Sequence, residues 1–303
     1  ECFVPDEGYI WSSSDYGGLE LCSVAQKTFK LFGASSVHYQ KVNAGYDMHS
    51  YLGSGLAAAF SPEFAAIVRE RKLDRDGAYR AFLAFKKSDD PKLRAFFKHW
   101  RTFAKPVGLG YPGGLGAKTM VIFARATYGV TMTEDQAAQF KEVWFEMYPE
   151  MRDYFFWVNA QTDPHNLDDY CYMTPLGMLR SGAAYTEAAN GACMQSPAAE
   201  GAKAALILVQ RKCYDPSLGS PLYGRSDMFN FIHDENMLRH RLDDQDDLQE
   251  RIEDVEKTMI EQMQLVMPDV KITVETALMD RWYKEAEPVF DDAGRLKIWE
   301  KAG

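Results

Sequence analysis

Three stretches of this chain carry residue types that can do chemistry together. The segment Ser12, Ser13, Ser14, Asp15, Tyr16, Gly17, Gly18, Leu19, Glu20, Leu21 sets an acid where an apolar run meets a glycine turn. Far downstream, Phe231, Ile232, His233, Asp234 and Glu235 set two more acids where another apolar run meets a polar turn. Between them lies a basic, glycine-rich stretch that opens on Arg101 and Lys105 and continues through Gly108, Gly110, Gly113, Gly114 and Gly116. Separated carboxylates can hold divalent cations, and a basic segment can hold a polyphosphate, so the set suggests metal-dependent phosphoryl transfer.

Each piece also has an ordinary reading. An isolated turn aspartate is commonly just solvated, and two oxygen ligands do not specify a metal without substrate phosphates. Asp234 and Glu235 are adjacent and diverge, which suggests one main ligand and one auxiliary acid. Arg101 and Lys105 are four apart and share a helical face, with Lys98 one turn earlier, yet such pairs commonly face solvent. The glycine-rich stretch lacks the Gly-Lys-Ser/Thr ending of a phosphate-binding P-loop, and no dinucleotide fingerprint follows a strand.

The elements that must position these residues are readable in outline. Alternating Tyr9 and Trp11 predict a strand over Gly8 to Ser14, and apolar spacing predicts a helix over Leu19 to Phe32. Gly33 to Gly45 reads as a polar loop. His49 to Phe103 reads as mostly helical, with breaks at Ser61-Pro62, Asp74 to Gly77 and Ser88 to Pro91; Ser61 before Pro62 has the form of a helix start. Gly113 to Gly116 closes or interrupts the basic helix, Ala117 to Tyr128 is a further helix, and Thr133 to Gln136 fits a capping box. Met151 to Ala160 reads as helix. Tyr170 to Met173 and Met178 to Arg180 pair across Thr174 to Gly177. Ala183 to Cys213 is a long alanine-rich helix broken near Pro197. Met228 to Ile232 and Asn236 to Leu238 form a hairpin with the acids at its tip, Leu248 to Val266 is an amphipathic helix, and Val270 to Val274 is a closing strand. Helices mixed with antiparallel strands predict an α+β fold rather than a parallel nucleotide-binding sheet.

Composition sets outer limits. The 303 residues are 46% apolar and 26% charged, a globular balance that can bury a sizeable core in one large domain or two. The net charge of −10 argues against indiscriminate DNA binding, although metal-binding acids add to it and basic residues gather locally at 69–72, 86–105 and 203–212. Five irregularly spaced cysteines form no zinc pattern and point to a reducing, cytosol-like setting. No secretory signal or apolar span is visible. The first residue is not Met, from which we expect a portion of a longer chain.

The order and wording of these segments resemble the polymerase region of the family A DNA polymerases, especially phage-type members. Asp15 to Leu21 resembles the family's motif A, and Phe231 to Glu235 its motif C. The resemblance implies a palm with an antiparallel sheet and helical fingers, the thumb and N-terminal region being absent. It implies the boundaries 1–48 for the first part of the palm, 49–165 for the fingers and 166–303 for the second part of the palm. The implied chemistry is template-directed DNA synthesis by two Mg²⁺ ions (Mn²⁺ as substitute) held by Asp15 and Asp234, with Glu235 nearby. Glu20 then crowds the sugar 2′-position. Arg101 and Lys105 match the basic pair of motif B, where Lys105 assists the departing pyrophosphate. His49, in Asp47-Met48-His49, resembles the histidine that contacts the triphosphate. Arg180, Asn190, Gln195 and His233 resemble residues near the primer-template, although the spacing of Asn190 and Gln195 is not a clean match.

Two positions depart from the family pattern. Leu109 and Gly113 stand where aromatics are usual, which puts fidelity and analogue discrimination in question; Tyr111 is expected to compensate in part. Pro106 and Pro112 put the helix geometry in question. Phe96, Phe97 and Trp100 have core spacing, and Cys22 reads as a packing residue. Primer-template DNA and dNTP are the implied partners, with a missing N-terminal half or separate subunit; the complete protein is expected to be a monomer in the cytoplasm, in a phage-infected host if phage-derived, without a membrane. A metal-dependent nuclease or phosphatase, and a catalytically incomplete DNA-binding or structural fragment, are the alternatives.

Overall fold

The computed structural model describes residues 3–162, 171–181, 188–242 and 245–300. It divides into two compact units: Glu1–Leu19 with Thr174–Gly177 and Ser196–Gly303, and Glu20–Met173 with Met178–Gln195. The division therefore falls at Leu19/Glu20 and Gln195/Ser196, where the sequence suggested 48 and 165.

The first unit is built on a four-stranded sheet. Strand β1 (Tyr9–Tyr16) lies between β5 (Glu235–Arg241) and β6 (Val274–Met279), and β4 (Ser226–Ile232) pairs on the far side of β5. All three pairings are antiparallel. Successive side chains point to opposite faces, and the two faces of β1 differ accordingly. Ile10 packs with Ile252 of helix α11 (Gln245–Gln264) and Leu278 of β6. On the other face Trp11 packs with Ala277, Met279 and Trp282. Helix α10 (Ser196–Tyr214) lies against α11 and β4. Strand β6 begins where the expected closing strand, Val270 to Val274, ends; 271–273 is not strand, so the register with β1 moves along the chain.

The helix-facing side of the sheet is polar for a buried layer. His240 lies between two serines, with Nε2 2.7 Å from Ser12 Oγ and Nδ1 2.7 Å from Ser226 Oγ. Ser14 Oγ lies 2.8 Å from Thr276 Oγ1, and the Tyr16 hydroxyl donates to the Met259 carbonyl at 2.8 Å. Arg251 of α11 is wholly buried, and its guanidinium donates to the carbonyls of Arg225, Arg241 and Asp247. Buried donors and acceptors cost free energy unless they are paired, and these pairings tie α11 to the sheet at defined points.

The second unit is helical: α1 (Leu19–Phe32), α2 (Val37–Asn43), α3 (Met48–Phe60), α4 (Pro62–Glu70), α5 (Arg75–Lys86), α6 (Pro91–Gly110), α7 (Ala117–Tyr128), α8 (Glu134–Met147) and α9 (Glu150–Gln161). The expected helix starts are present: Ser61 caps α4 with Pro62 behind it, Asp90 caps α6, and Thr133 and Gln136 form a reciprocal capping box on α8. Gly33 to Gly45, expected as a loop, holds the helix α2, started by Ser36 accepting from Tyr39 N. The buried Glu150 carboxylate accepts from Ser36 Oγ and His38 N, a long-range anchor invisible in local sequence. Phe64, Phe82 and Phe97 form a core with Ala57 and Ala78, which Phe96 and Trp100 flank, so these aromatics are structural. Strands β2 (Cys171–Met173) and β3 (Leu179–Ser181) pair as expected, and a π-helix (Ala188–Gln195) leads to α10 at Ser196. Among the described residues no single helix is long and apolar enough to cross a membrane; α3 and α4 meet that test only as a pair bent by 98°.

Candidate active site

In the first unit, strand register gathers the acids. Ser13 faces Met237 and Ser14 faces Asn236, so the C-terminal end of β1 lies beside the turn that joins β4 to β5. Asp15 is exposed at that end, and His233 and Asp234 form the turn itself. His233 is exposed and adopts φ 58°, in the left-handed region, which lets the tight turn close. Burial raises the Tyr16 phenol well above its ordinary range, and the Asp234 charge adds to the shift. That coupling ties Asp234 electrostatically to the end of β1.

Glu235 is held by Ser13, whose hydroxyl donates to Oε1. On the other flank of β1, Asp15 pairs directly with Glu275 of β6, an exposed acid that sequence reasoning missed because the closing strand was expected upstream. Like charges opposite one another in a sheet repel. An acid-rich strand end of this kind suits a divalent cation, and carboxylate oxygens are the hard donors that Mg²⁺ takes. Among the described residues no three His, Cys, Asp or Glu side chains converge as a ready-made metal cage.

The glycines after Asp15 have separate physical duties. Gly18 has φ 63°, which a side chain would strain, and a Cβ at Gly17 would meet Thr273 Oγ1 at 2.5 Å. Both are needed for the turn from β1 into α1. Glu20, half-buried, lies in the first turn of α1, where its charge also favours the helix dipole. Cys22 is buried and its thiol is pushed up to about 12 by burial, with Glu20 adding, so it is an unreactive packing residue.

In the second unit, helices α3 and α6 carry the basic cluster. Arg101 and Lys105 are partly exposed on α6. Arg101 Nε donates to Asp47 Oδ2 at 2.8 Å. Asp47 also caps α3, accepting from His49 N and Ser50 N, and its Oδ2 accepts from Ser50 Oγ at 2.8 Å. Burial alone would raise the Asp47 carboxyl; the Arg101 bond and charge, with Ser50, outweigh it and hold it below the usual range. His49 Nδ1 is buried, with no hydrogen-bond partner among the described residues. Burial lowers the imidazole to about 4, against the pull of Asp47 and with the push of Arg101 and Lys105, so His49 is neutral at pH 7.

Helix α6 continues through Pro106 to Gly110, beyond the point where the two prolines put its geometry in question. Tyr111, expected to stand in for a missing aromatic, is wholly buried, and its hydroxyl donates to the Ala137 carbonyl at 2.5 Å. That expectation is corrected: the ring belongs to the core beside Trp144. Leu109 is half-buried, and Gly113 is buried, with the place of its missing Cβ 3.4 Å from the Asn190 side chain. Asn190 therefore packs where an aromatic at 113 would project. Gln195 is exposed at the end of the π-helix, and Arg180 lies on β3.

One unit is thus an antiparallel sheet with acids gathered at one end, and the other is helical. The chain superimposes on the structure described as the POL domain of Pol1 from M. smegmatis in complex with DNA primer-template and dNTP, with a TM-score of 0.59 and 21% identity over 92% of this chain and 41% of that one. In sequence it is 22% identical over 188 residues to DNA polymerase I of Aquifex aeolicus (strain VF5), covering 62% of this chain and 31% of that protein. No family model matches. The likeness in sequence is thus to a DNA polymerase I and in fold to a POL domain, and the chain spans less than half the length of either relative.

Proposed function

We propose that this chain carries the polymerase region of a family A DNA polymerase. The reaction is transfer of a deoxynucleoside monophosphate from dNTP to a primer 3′-hydroxyl, with release of pyrophosphate. The observation that carries the proposal is the register of β1 and β5, which sets Asp15 and the His233-Asp234 turn at one end of the same sheet.

In this reading Asp15 and Asp234 hold Mg²⁺, or Mn²⁺ in its place. When bound, such ions lower the cost of charge on the attacking and leaving oxygens of an in-line displacement. Glu235, fixed by Ser13, contributes negative potential beside Asp234 and supports the turn. Arg101 and Lys105 bind the triphosphate, and neutral His49 offers a hydrogen bond to it without adding charge. Lys105 also stabilises the departing pyrophosphate, where charge develops in the transition state. Glu20 limits the room beside the sugar 2′-carbon. Leu109 lines the nucleotide side of α6 without the stacking an aromatic would give. Arg180, Asn190, Gln195 and His233 contact primer-template DNA; amide side chains there meet minor-groove acceptors that correctly paired bases share.

The test is extension of a labelled primer on a template by the full chain with dNTP and Mg²⁺, in parallel with its Asp234→Asn variant. The proposal expects extension that the variant loses. Failure to bind either primer-template or dNTP overturns it, and DNA binding without any extension favours a non-catalytic DNA-binding role.

A further inference from the structure

We propose that Asp47 is a positioning residue that holds the Arg101 guanidinium with its two terminal nitrogens free to grip a phosphate. This deepens the nucleotide-binding reading of the basic face and rests on it. The geometry is specific. Asp47 takes the Nε of Arg101 at 2.8 Å, and among the described residues no other hydrogen bond to that guanidinium occurs. A guanidinium held through Nε keeps its Nη edge for a second acceptor, and its planar fork suits phosphate oxygens.

The carboxylate is itself immobilised. Oδ1 accepts from His49 N at 3.1 Å and Ser50 N at 3.2 Å, and Oδ2 accepts from Ser50 Oγ at 2.8 Å. The Asp47 backbone N donates to the Tyr79 hydroxyl at 3.1 Å, tying the residue to α5 as well. The helices that carry the pair are locked beside it. A Cβ at Gly53 of α3 would lie 3.2 Å from the Trp100 carbonyl oxygen and 3.3 Å from Arg101 N, so the two backbones approach closely at the arginine's own amide. Asp47 thus joins the start of α3, which bears His49, to the face of α6 that bears Arg101. The pair is only about one-third exposed at each side chain, which limits water's competition for the bond. Holding a long side chain in one rotamer before a ligand arrives removes an entropic cost from binding.

Three measurements on the full chain decide the matter. The Arg101 Nε–H should give a slowly exchanging side-chain ¹⁵N resonance near neutral pH, and Asp47→Asn should abolish it. Asparagine caps a helix as well as aspartate does, so α3 should survive and the melting temperature should change little. Titrated with dATP and Mg²⁺, Asp47→Asn should bind about 10-fold more weakly than the unmodified chain, the scale of one charge-assisted hydrogen bond. In an Arg101→Ala background the same change should cost nothing further, because Asp47 acts through the arginine. A rapidly exchanging Arg101 Nε–H in the unmodified chain overturns the inference without any variant. Equal dATP affinity for Asp47→Asn and the unmodified chain overturns it while leaving the nucleotide reading intact, and so does an undiminished loss in the Arg101→Ala background. An unmodified chain that shows the protected resonance yet binds no dATP overturns the nucleotide reading, and Asp47's role toward a phosphate falls with it.

Discussion

The Ser13 hydroxyl donates to Glu235 Oε1 across the central pair of strands, two residues from Asp15 along β1 and one from Asp234 along the chain. Two adjacent acids thereby acquire different surroundings. Glu235 is engaged within the sheet, whereas Asp234 sits in the turn. The bond also fixes the hairpin tip against the strand that carries Asp15.

From this asymmetry we expect unequal effects on catalysis. Asp15→Asn and Asp234→Asn should each lower single-turnover nucleotide incorporation by at least about 100-fold, the scale of losing a group that acts on transition-state charge. Glu235→Gln keeps an acceptor for Ser13 and should cost no more than about 10-fold. Rapid-quench primer extension in Mg²⁺ measures all three, and near-normal turnover of Asp234→Asn would remove it from the catalytic set.

The basic face predicts a split between binding and chemistry. Arg101→Ala should chiefly weaken nucleotide binding, while Lys105→Ala should also slow the chemical step at saturating dNTP. Single-turnover rates as a function of dNTP concentration separate the two. An unchanged maximal rate for Lys105→Ala would contradict its assignment to the leaving group. Unaltered affinity in both variants would reduce the pair to a solvated helix face.

Glu20 is expected to act on sugar selection. Glu20→Ala should raise the efficiency of ribonucleotide relative to deoxyribonucleotide incorporation, even where total activity falls. Competition between the two nucleotides gives the ratio directly. If that ratio holds constant, Glu20 keeps only its favourable interaction with the helix dipole.

Stability should fall with acid well above the carboxylate range. Burial, with Arg251 adding, lowers His240 to about 3, whereas an unfolded-state histidine titrates near 6.5. Below 6.5 the unfolded chain therefore binds a proton that the folded chain refuses. The stability this residue contributes is complete above pH 6.5 and is lost as pH drops toward 3, with a limiting slope of about 1.4 kcal/mol per pH unit. His49, lowered to about 4, acts in the same sense. Urea unfolding between pH 7 and 5 should show the decline, and His240→Gln should flatten it. A level profile in the unmodified chain would show that His240 is protonated within the fold.

Much of this protein is determined by signals that act over a few residues. Ser61 with Pro62, Asp90 with Pro91, and Thr133 with Gln136 mark helix starts, because a side-chain oxygen two or three positions before an orphan backbone N–H satisfies it wherever the helix is placed. The hairpin around His233 and Asp234 follows likewise from two apolar runs and the polar tip between them. The order of the acidic and basic segments is itself enough to suggest phosphoryl transfer.

Tertiary structure decided what depends on distant partners. Which residue stands opposite Asp15 is fixed by the register of β1 against β6 across some 260 positions of chain, and only that register introduces Glu275. Helix α2 rests on Glu150, more than a hundred residues away, and Tyr111 is a core residue because Ala137 and Trp144 close over it. Asp47 and Arg101 are separated by 54 positions, and no local pattern joins them. Hydrophobic spacing and capping are properties of a segment. Strand register, burial and ion pairing belong to the contacts between segments, and they exist only once the chain has folded.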